Sequence, residues 1–308
     1  MRIAIVGPGS MGSLLAAFLA KAKEDVYIID HNTERVKKLR QDGISVVGIS
    51  GEFTVRVNAT AQPREAGERD LFVICVKSYD TEEAIKSLKE CIGENAHVLT
   101  LQNGIGNVQI LNDAIGEDKV IGGVTSQGAT LLGWGEIRHA GKGETVIGKA
   151  DGRVLGPIRE IAQVFNKAGL ETKISKDINS IIWSKLIINV GINALGAITR
   201  LHNGSLIEYD GTREIMRAAV QEAVKVAKRK RIKIAYDDPI QKVEGVAKAT
   251  CGNVCSMLQD VLRKRRTEID FLNGAIVRQA KSLNIPTPVN EVLTNILKTI
   301  EASYAQQV

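Results

Sequence analysis

Three glycines near the start of the chain have the spacing of a phosphate-binding loop. The apolar run RIAIV is followed by GPGSMG, which has the pattern G-x-G-x-x-G. In such a loop the first glycine permits a tight turn, the second lets a pyrophosphate approach the backbone, and the third lets a helix pack close to a strand. The N-terminus of the following helix then stabilises the anion. We therefore predict a dinucleotide site formed by Gly7, Pro8, Gly9, Ser10, Met11 and Gly12. Pro8 also has a purely structural interpretation, because its ring fixes φ and stiffens the turn.

An acidic residue follows where the same motif expects one. Asp30 ends the second apolar strand pattern, DVYIID, about 20 residues beyond the glycines. Its carboxylate should accept hydrogen bonds from an adenosine ribose, and its charge should repel a 2′-phosphate, which favours NAD over NADP. His31, Arg35 and Lys77 could offset this repulsion. Both NAD and NADP therefore stay open as the cofactor.

A lysine and two asparagines recur every four residues in an otherwise apolar stretch. Lys185, Asn189 and Asn193 lie within SIIWSKLIINVGINALGAI, and helical spacing puts all three on one face. Desolvating a lysine costs free energy unless it is paired or has a role, so Lys185 is a candidate functional group in a cleft. A lysine that snorkels to water is the alternative.

The order of the predicted elements indicates an α/β fold with a second, helical domain. Strand patterns alternate with helical ones up to ETKIS (171–175), with a hairpin over 44–57, and this alternation predicts a parallel sheet. After that the periodicity is helical only. Helices are predicted over 177–199, 212–230, 239–249, 253–283 and 289–304. We expect a Rossmann-type dinucleotide-binding domain over residues 1–176 and an all-helical domain over residues 177–308.

Composition narrows the classes of partner. Lys and Arg number 41 against 35 Asp and Glu, a net charge of +6 that suits anionic small molecules and does not imply nucleic acid. The basic clusters at 225–233 and 263–266 are interpreted as solvated helix faces. Polar residues interrupt the apolar stretch at 180–198, so no membrane span is predicted. With four cysteines, no signal-peptide pattern and no Cys/His cluster, we expect reduced thiols, a cytoplasmic protein and no metal site.

Five motifs in register, spread over both predicted domains, resemble the 2-dehydropantoate 2-reductase (ketopantoate reductase) family. They are the glycine loop, VKS (76–78), LQNGIG (101–106), WSKLIINVGIN (183–193), and CSMLQD with RRTEIDFLNG (255–260 and 265–274). The resemblance covers essentially the whole chain. It implies that the helical domain binds substrate, that the active site lies in the cleft between the domains, and that NAD(P)H transfers a hydride to the C2 ketone of 2-dehydropantoate. The product, pantoate, would serve pantothenate and coenzyme A biosynthesis.

The resemblance also assigns roles to the polar residues. Lys185 matches the family's catalytic lysine, whose ammonium would donate a proton to the ketone oxygen and stabilise its developing charge. Asn103 would lie near both nicotinamide and substrate, while Asn189, Asn193 and Ser256 would bind the substrate. Taken singly, the asparagines and the serine could equally be satisfied core groups or helix-surface groups.

Glu268 matches the family's second functional acid. It lies twelve residues beyond Ser256, roughly 18 Å along a continuous helix, so both could touch one small ligand only if the helix breaks between them. We therefore expect Ser256 at the substrate and Glu268 orienting Lys185 or binding the cofactor ribose. A salt bridge from Glu268 to Arg265 or Arg266 is the alternative.

Two further positions bear on cofactor and substrate. Lys77 resembles a lysine that the family uses at the cofactor, whereas Asp30 and His31 stand where NADPH-preferring members often have a basic residue. Cys255 replaces the first serine of the family's usual S-S-M, which would change substrate affinity if that hydroxyl positions the substrate.

Two other functions are consistent with the same motifs. One is a reductase of another small 2-oxo acid, because short polar side chains do not define the acyl tail. The other is a non-catalytic NAD(P)-sensing protein, against which the polar stripe argues. The apolar helical domain leads us to expect a homodimer.

Overall fold

The computed structural model describes residues 1–306, which form two compact units. Unit 1 contains residues 1–102 and 106–178, and unit 2 contains residues 103–105 and the chain from 179 onward. The sequence changes from strands to helices near the same place, but the short segment 103–105 groups with the helices. Residues 307–308 of the predicted second domain lie outside the described residues.

The strands found among residues 1–306 all belong to unit 1. In chain order they are β1 (Arg2–Val6), β2 (Asp25–Ile29), β3 (Ile44–Gly48), β4 (Phe53–Val55), β5 (Asn58–Thr60), β6 (Leu71–Ile74), β7 (His97–Thr100), β8 (Val120–Thr125), β9 (Gly128–Gly133), β10 (Glu136–Gly141), β11 (Thr145–Gly148) and β12 (Thr172–Ile174).

The main sheet is largely parallel, as predicted. Its strand order is β12-β11-β8-β7-β6-β1-β2-β5, and β11 runs antiparallel to β8. The chain leaves β1 toward β2 and later returns to pair β6 with the other side of β1. This reversal opens a crevice at the carboxyl ends of β1 and β6, the place where open α/β sheets bind ligands.

The helices of unit 1 cover the sheet on both faces. They are α1 (Ser10–Lys21), α2 (Thr33–Asp42), α3 (Thr81–Leu88), α4 (Asn107–Ile115) and α5 (Gly156–Lys167). One apolar cluster includes residues of α1 and α5, and a second includes residues of α3 and α4. Strands that are buried on both faces explain the near-continuous apolar runs in the sequence.

A second sheet, which the sequence did not predict as a unit, also packs against α1. Its order is β4-β3-β10-β9, and its β3–β4 hairpin confirms the predicted turn over 44–57. Phe18 of α1 makes edge-to-face contacts with Phe53 and His139 of this sheet, at centroid distances of 5.8 and 5.5 Å.

Unit 2 is helical in the part of the chain that the structure describes. Its helices are α6 (Ile178–Thr199), α7 (Asp210–Arg229), α8 (Pro239–Ala249), α9 (Ser256–Leu262), α10 (Asn273–Lys281) and α11 (Pro288–Ala302). A Cβ on Gly191 of α6 would lie 2.7 Å from Val243 of α8 and 3.0 Å from Val220 of α7, so the three helices pack closely at this glycine. Although α6 is long and apolar enough to cross a membrane, 67% of its most apolar window is buried inside the protein, as in a core helix.

The predicted continuous helix over 253–283 is wrong. The helix α9 ends at Leu262, and α10 starts only at Asn273. Lys264 adopts φ +52°, and the amides of Lys264 and Arg265 donate back to Val261 and Asp260. These bonds form the Schellman motif that ends many helices, here without the glycine that would have revealed it in the sequence.

Candidate active site

The glycine loop follows β1 and approaches the loop after β6. Gly7 has φ +88°, and a Cβ on it would lie 2.6 Å from Val76 Cγ1. A Cβ on Gly12 would lie 2.2 Å from the Gly7 carbonyl oxygen, whereas one on Gly9 would meet no described atom within 4 Å. The first and third glycines are therefore required by packing, and the second borders open space. This is the division of roles that a pyrophosphate cradle needs.

The rest of the loop supports this cradle. Ser10 begins α1, and no described side chain caps the helix N-terminus at Gly9, which leaves its amides for an anion. Pro8 is buried and its carbonyl accepts a hydrogen bond from the hydroxyl of Ser13. Met11 packs against the core of unit 1. The loop fits a dinucleotide pyrophosphate, with Pro8 and Met11 contributing mainly structure.

Asp30 is buried next to the loop and pairs with Arg35. The Arg35 guanidinium donates to both carboxylate oxygens, through Nε to Oδ2 and through Nη2 to Oδ1. His31 is largely exposed, with Nδ1 3.7 Å from Asp30 Oδ1. The cation that neutralises Asp30 is thus five residues away in sequence, on the first turn of α2.

Lys77 follows β6 and precedes a short 3-10 turn at Ser78–Asp80. It is half-buried. Sequence reasoning overlooked Gln102, whose side chain donates to the Val76 carbonyl at 2.9 Å and to Thr81 Oγ1 at 2.8 Å. Gln102 therefore fixes the segment that leads into Lys77, and the signal for it was its place beside Asn103 in LQNG.

In unit 2, Lys185 projects from α6 toward the segment that contains Asn103. Its Nζ donates to Asn103 Oδ1 at 2.9 Å. Burial lowers the pKa of Lys185 to about 8, and the negative charge of Glu268 partly opposes this shift. The structure therefore brings together Lys185, Asn103 and the charge of Glu268, and it leaves the ammonium poised to lose a proton near neutral pH.

The position of Asn103 is fixed by the 3-10 turn at Ile269–Phe271. The amide of Ile105 donates to the Phe271 carbonyl at 3.2 Å. Gly104 has φ +82°, and a Cβ there would lie 2.2 Å from the same carbonyl oxygen. A glycine is therefore required between Asn103 and Ile105, and the Phe271 carbonyl is a further contributor that sequence reasoning missed.

The two asparagines of the stripe differ in their hydrogen bonding. The side-chain nitrogen of Asn189 is buried and has no hydrogen-bond partner among residues 1–306. Asn193 is buried, and its backbone carbonyl accepts from Cys255 Sγ at 3.5 Å. An orphaned buried donor costs free energy, so Asn189 is the member of the stripe that best fits a polar ligand.

Ser256 and Cys255 lie at the start of α9. Ser256 is exposed at the first position of this helix. Cys255 caps the helix, because its Sγ accepts from the Leu258 amide at 3.4 Å. Burial raises the pKa of this thiol to about 11. The sulfur is therefore occupied by α9 and by the Asn193 carbonyl.

No described group of three or more His, Cys, Asp or Glu side chains is arranged to hold a metal ion.

The fold, the glycine loop and the polar residues around Lys185 define a class of protein, the Rossmann-type oxidoreductases with a helical second domain. The family description "Ketopantoate reductase PanE/ApbA" matches residues 3–152, and "Ketopantoate reductase PanE/ApbA C terminal" matches residues 177–301. The chain belongs to the ketopantoate reductase family, as its motifs predicted.

Relatives and solved structures match nearly the whole chain. A 2-dehydropantoate 2-reductase of Halobacterium salinarum is 36% identical over 300 residues, which cover 97% of this chain and 98% of the relative. A PanE/ApbA family ketopantoate reductase from Ralstonia eutropha superposes with a TM-score of 0.92 at 33% identity, covering 99% of this chain and 100% of that one. A D-mandelate dehydrogenase solved with NADH and anilino(oxo)acetate also gives 0.92, at 26% identity and with coverage of 99% and 100%.

Proposed function

We propose that this protein reduces 2-dehydropantoate to pantoate with NADH or NADPH, in pantothenate and coenzyme A biosynthesis. The observation that carries the proposal is the desolvated ammonium of Lys185, held by Asn103 in a chain whose relatives over their whole length are 2-dehydropantoate 2-reductases. A reduced nicotinamide, when bound, supplies the hydride.

Lys185 would donate the proton that the ketone oxygen needs as it becomes a hydroxyl. A pKa of about 8 leaves most of the ammonium protonated at neutral pH and still makes it a better acid than an ordinary lysine. Its charge would also stabilise the developing alkoxide in a site where water is scarce. Asn103 would orient the ammonium, since its amide oxygen accepts a hydrogen bond from Lys185 Nζ.

The other polar residues would hold the substrate and tune the lysine. Asn189 has an unused buried donor, which suits the carboxylate or hydroxyl of a 2-oxo acid. We assign Asn193 and Ser256 to the same substrate. Glu268 would act on Lys185 as a buried negative charge that keeps it protonated. The break between α9 and α10 removes the helical separation that set Ser256 and Glu268 apart in the sequence interpretation.

On the cofactor side, we assign the pyrophosphate to the loop from Gly7 to Gly12 and the adenosine ribose to Asp30, with Lys77 and His31 nearby. The open space beside Gly9 and the uncapped start of α1 support this assignment. The substrate tail is less constrained, because a D-mandelate dehydrogenase shares the fold over the full chain length. A purely sensing role is disfavoured, since a sensor needs no desolvated proton donor.

We further propose that the protein acts as a homodimer in the cytoplasm. Ile215, Val292 and Ile296 are exposed and line one apolar hollow on unit 2 with residues of α6, α7 and α11. Apolar patches of this kind favour association. Light scattering coupled to size-exclusion chromatography measures the mass directly, and a monomer at micromolar concentration would contradict the proposal.

Steady-state kinetics test the reaction. The purified chain is assayed with 2-dehydropantoate and, for comparison, 2-oxo-2-phenylacetate, each with NADH and with NADPH. Lys185→Ala should lower kcat by roughly 10²- to 10⁴-fold, the usual contribution of a general acid. Lys228→Ala, a matched change of an exposed lysine on α7, should leave kcat unchanged. Turnover of the phenyl acid in preference to 2-dehydropantoate, or a fully active Lys185→Ala variant, would overturn the proposal.

A further inference from the structure

We infer that Arg35 is the residue that determines cofactor preference, and that its pairing with Asp30 turns an NAD-type site into one that favours NADPH. The inference rests on the proposed function only in that the glycine loop binds a nicotinamide dinucleotide. It reverses the preference that Asp30 alone would predict.

The pair is built into the local fold. Asp30 directly follows β2 with its side chain 2% exposed, and Arg35 lies on the first turn of α2 with its side chain 20% exposed. Asn32 caps α2 by accepting from the Arg35 amide at 2.8 Å, which fixes the backbone from which the guanidinium extends. The planar guanidinium then meets the carboxylate with two parallel hydrogen bonds, a strong and directional arrangement.

The hydrogen bonds of Asp30 limit what it can offer a ribose. Its Oδ1 already accepts from Arg35 Nη2 at 2.7 Å and from the Asn32 amide at 3.3 Å, and its Oδ2 accepts from Arg35 Nε. Each carboxylate oxygen has about two lone-pair sites. One site is therefore left for a ribose with two hydroxyl groups, and full recognition of the NADH ribose requires the pair to open.

The hydrogen bonds of Arg35, in contrast, leave it ready for a phosphate. A guanidinium has about five N–H donors, and two of them serve Asp30. Its Nη1 has no partner among the described residues. The pair is neutral, so the charge repulsion between Asp30 and a 2′-phosphate is largely cancelled.

Two other groups near the pair have opposite effects on a bound anion. The N-terminus of the ten-residue helix α2 adds positive potential, while Glu34 on the first turn adds a negative charge in solvent. A 2′-phosphate can thus bind without opening the pair. This asymmetry between NADPH and NADH is what the inference depends on.

Equilibrium binding to the full chain tests the inference without turnover. Titrations use NADPH, NADH and their fragments 2′,5′-ADP and 5′-AMP. Arg35→Ala should weaken the binding of NADPH and 2′,5′-ADP by about 10- to 100-fold, the range for charge-assisted hydrogen bonds. The affinities for NADH and 5′-AMP should stay equal or increase. Lys38→Ala is the matched control, because Lys38 lies on the same helix and pairs with Asp42. It should change the affinity for neither dinucleotide.

Two further variants keep the test decisive if removal of Arg35 destabilises the fold. Arg35→Lys keeps the charge and loses the planar pair of donors, so the loss for NADPH should be intermediate. Asp30→Asn should weaken NADH and leave NADPH unchanged or tighter. Equal losses for both dinucleotides in Arg35→Ala and Arg35→Lys, or a wild-type chain that binds neither, would overturn the inference. A chain that discriminates as expected but fails to reduce 2-dehydropantoate would refute the proposed function alone.

Discussion

The ammonium of Lys185 lies 2.9 Å from the side-chain oxygen of Asn103, although the two residues are 82 positions apart in the chain. The contact depends on a backbone segment, Asn103–Ile105, that leaves the sheet strands and groups with the helices. Because the amide is neutral, it orients the ammonium without raising its pKa as a carboxylate would. Burial therefore controls the acidity of this lysine, and Glu268 moderates it.

We expect the rate of ketone reduction to fall above pH 8. The pKa of Lys185 is lowered to about 8, so the ammonium is present below that pH and is lost as pH rises through it. A general acid must be protonated, and kcat for reduction should drop about tenfold per pH unit beyond the pKa. Oxidation of pantoate needs the neutral amine and should rise over the same range. Profiles of kcat from pH 6 to 10 in both directions measure this, and a flat profile in both would contradict it.

Glu268→Gln should move the pH at which kcat for reduction begins to fall, here called the break, to a lower value. The carboxylate of Glu268 raises the pKa of Lys185, so its removal leaves burial unopposed and lowers the pKa further. A role of Glu268 in cofactor binding alone would raise KM for the dinucleotide without moving the break. The pH profile of the variant beside that of Lys185→Arg separates these effects, and a shift to higher pH would show that the charge of Glu268 does not act on the lysine.

Gly104→Ala should disconnect Asn103 from Lys185. The new Cβ would meet the Phe271 carbonyl at 2.2 Å in a backbone with φ +82°, so the segment must move. Backbone strain of this kind costs roughly 1–3 kcal/mol. Gly116→Ala is the matched control, since Gly116 has φ +88° but no described atom within 4 Å of the added Cβ. Both variants should lose stability in denaturant unfolding, and only Gly104→Ala should lose kcat; equal kcat in the two would refute the positioning role.

Asn189→Ala should raise KM without destabilising the fold. The buried Asn189 nitrogen lacks a described partner, and such a donor costs about 1–3 kcal/mol when left unpaired. Removing it should leave the free energy of unfolding equal or higher, while KM for the 2-oxo acid increases about tenfold. The comparison is Asn290→Ala, whose side chain bonds to Ala219, Glu222 and Asn273, and which should lose about 2–4 kcal/mol. A stability loss for Asn189→Ala of similar size would mean that the amide is structural.

Local sequence signals predicted the helices and strands whose periodicity is strong. The helix α8 has the predicted bounds, Pro239–Ala249, and α6 covers nearly the whole predicted range of 177–199. The second sheet was not predicted, because β3 pairs with β10, and that pairing depends on tertiary contacts far apart in the chain. The break after α9 was missed because Lys264, and not a glycine, adopts the positive φ.

The residues of the candidate site that belong to local sequence patterns could be predicted. Helical spacing placed Lys185, Asn189 and Asn193 on α6, and the glycine pattern placed the loop after β1. The hydrogen-bond partners of Lys185 and Asp30 could not be predicted from local sequence patterns. The Lys185–Asn103 contact joins distant segments, while the Asp30–Arg35 pair required the angle between β2 and α2. These partners are specified by tertiary geometry, which local spacing does not encode.

Cys255→Ser should leave substrate affinity unchanged, even though the family usually has serine at this position. The sulfur accepts from the Leu258 amide and lies 3.5 Å from the Asn193 carbonyl, so it contributes to helix capping rather than to a ligand. Serine is a strong N-cap residue and should preserve stability within about 1 kcal/mol, whereas Cys255→Ala should lose about 1 kcal/mol with the cap. Thermal unfolding gives the stability, and KM for 2-dehydropantoate gives the affinity. A KM that falls several-fold in Cys255→Ser and not in Cys255→Ala would show that a hydroxyl at this position does reach the substrate.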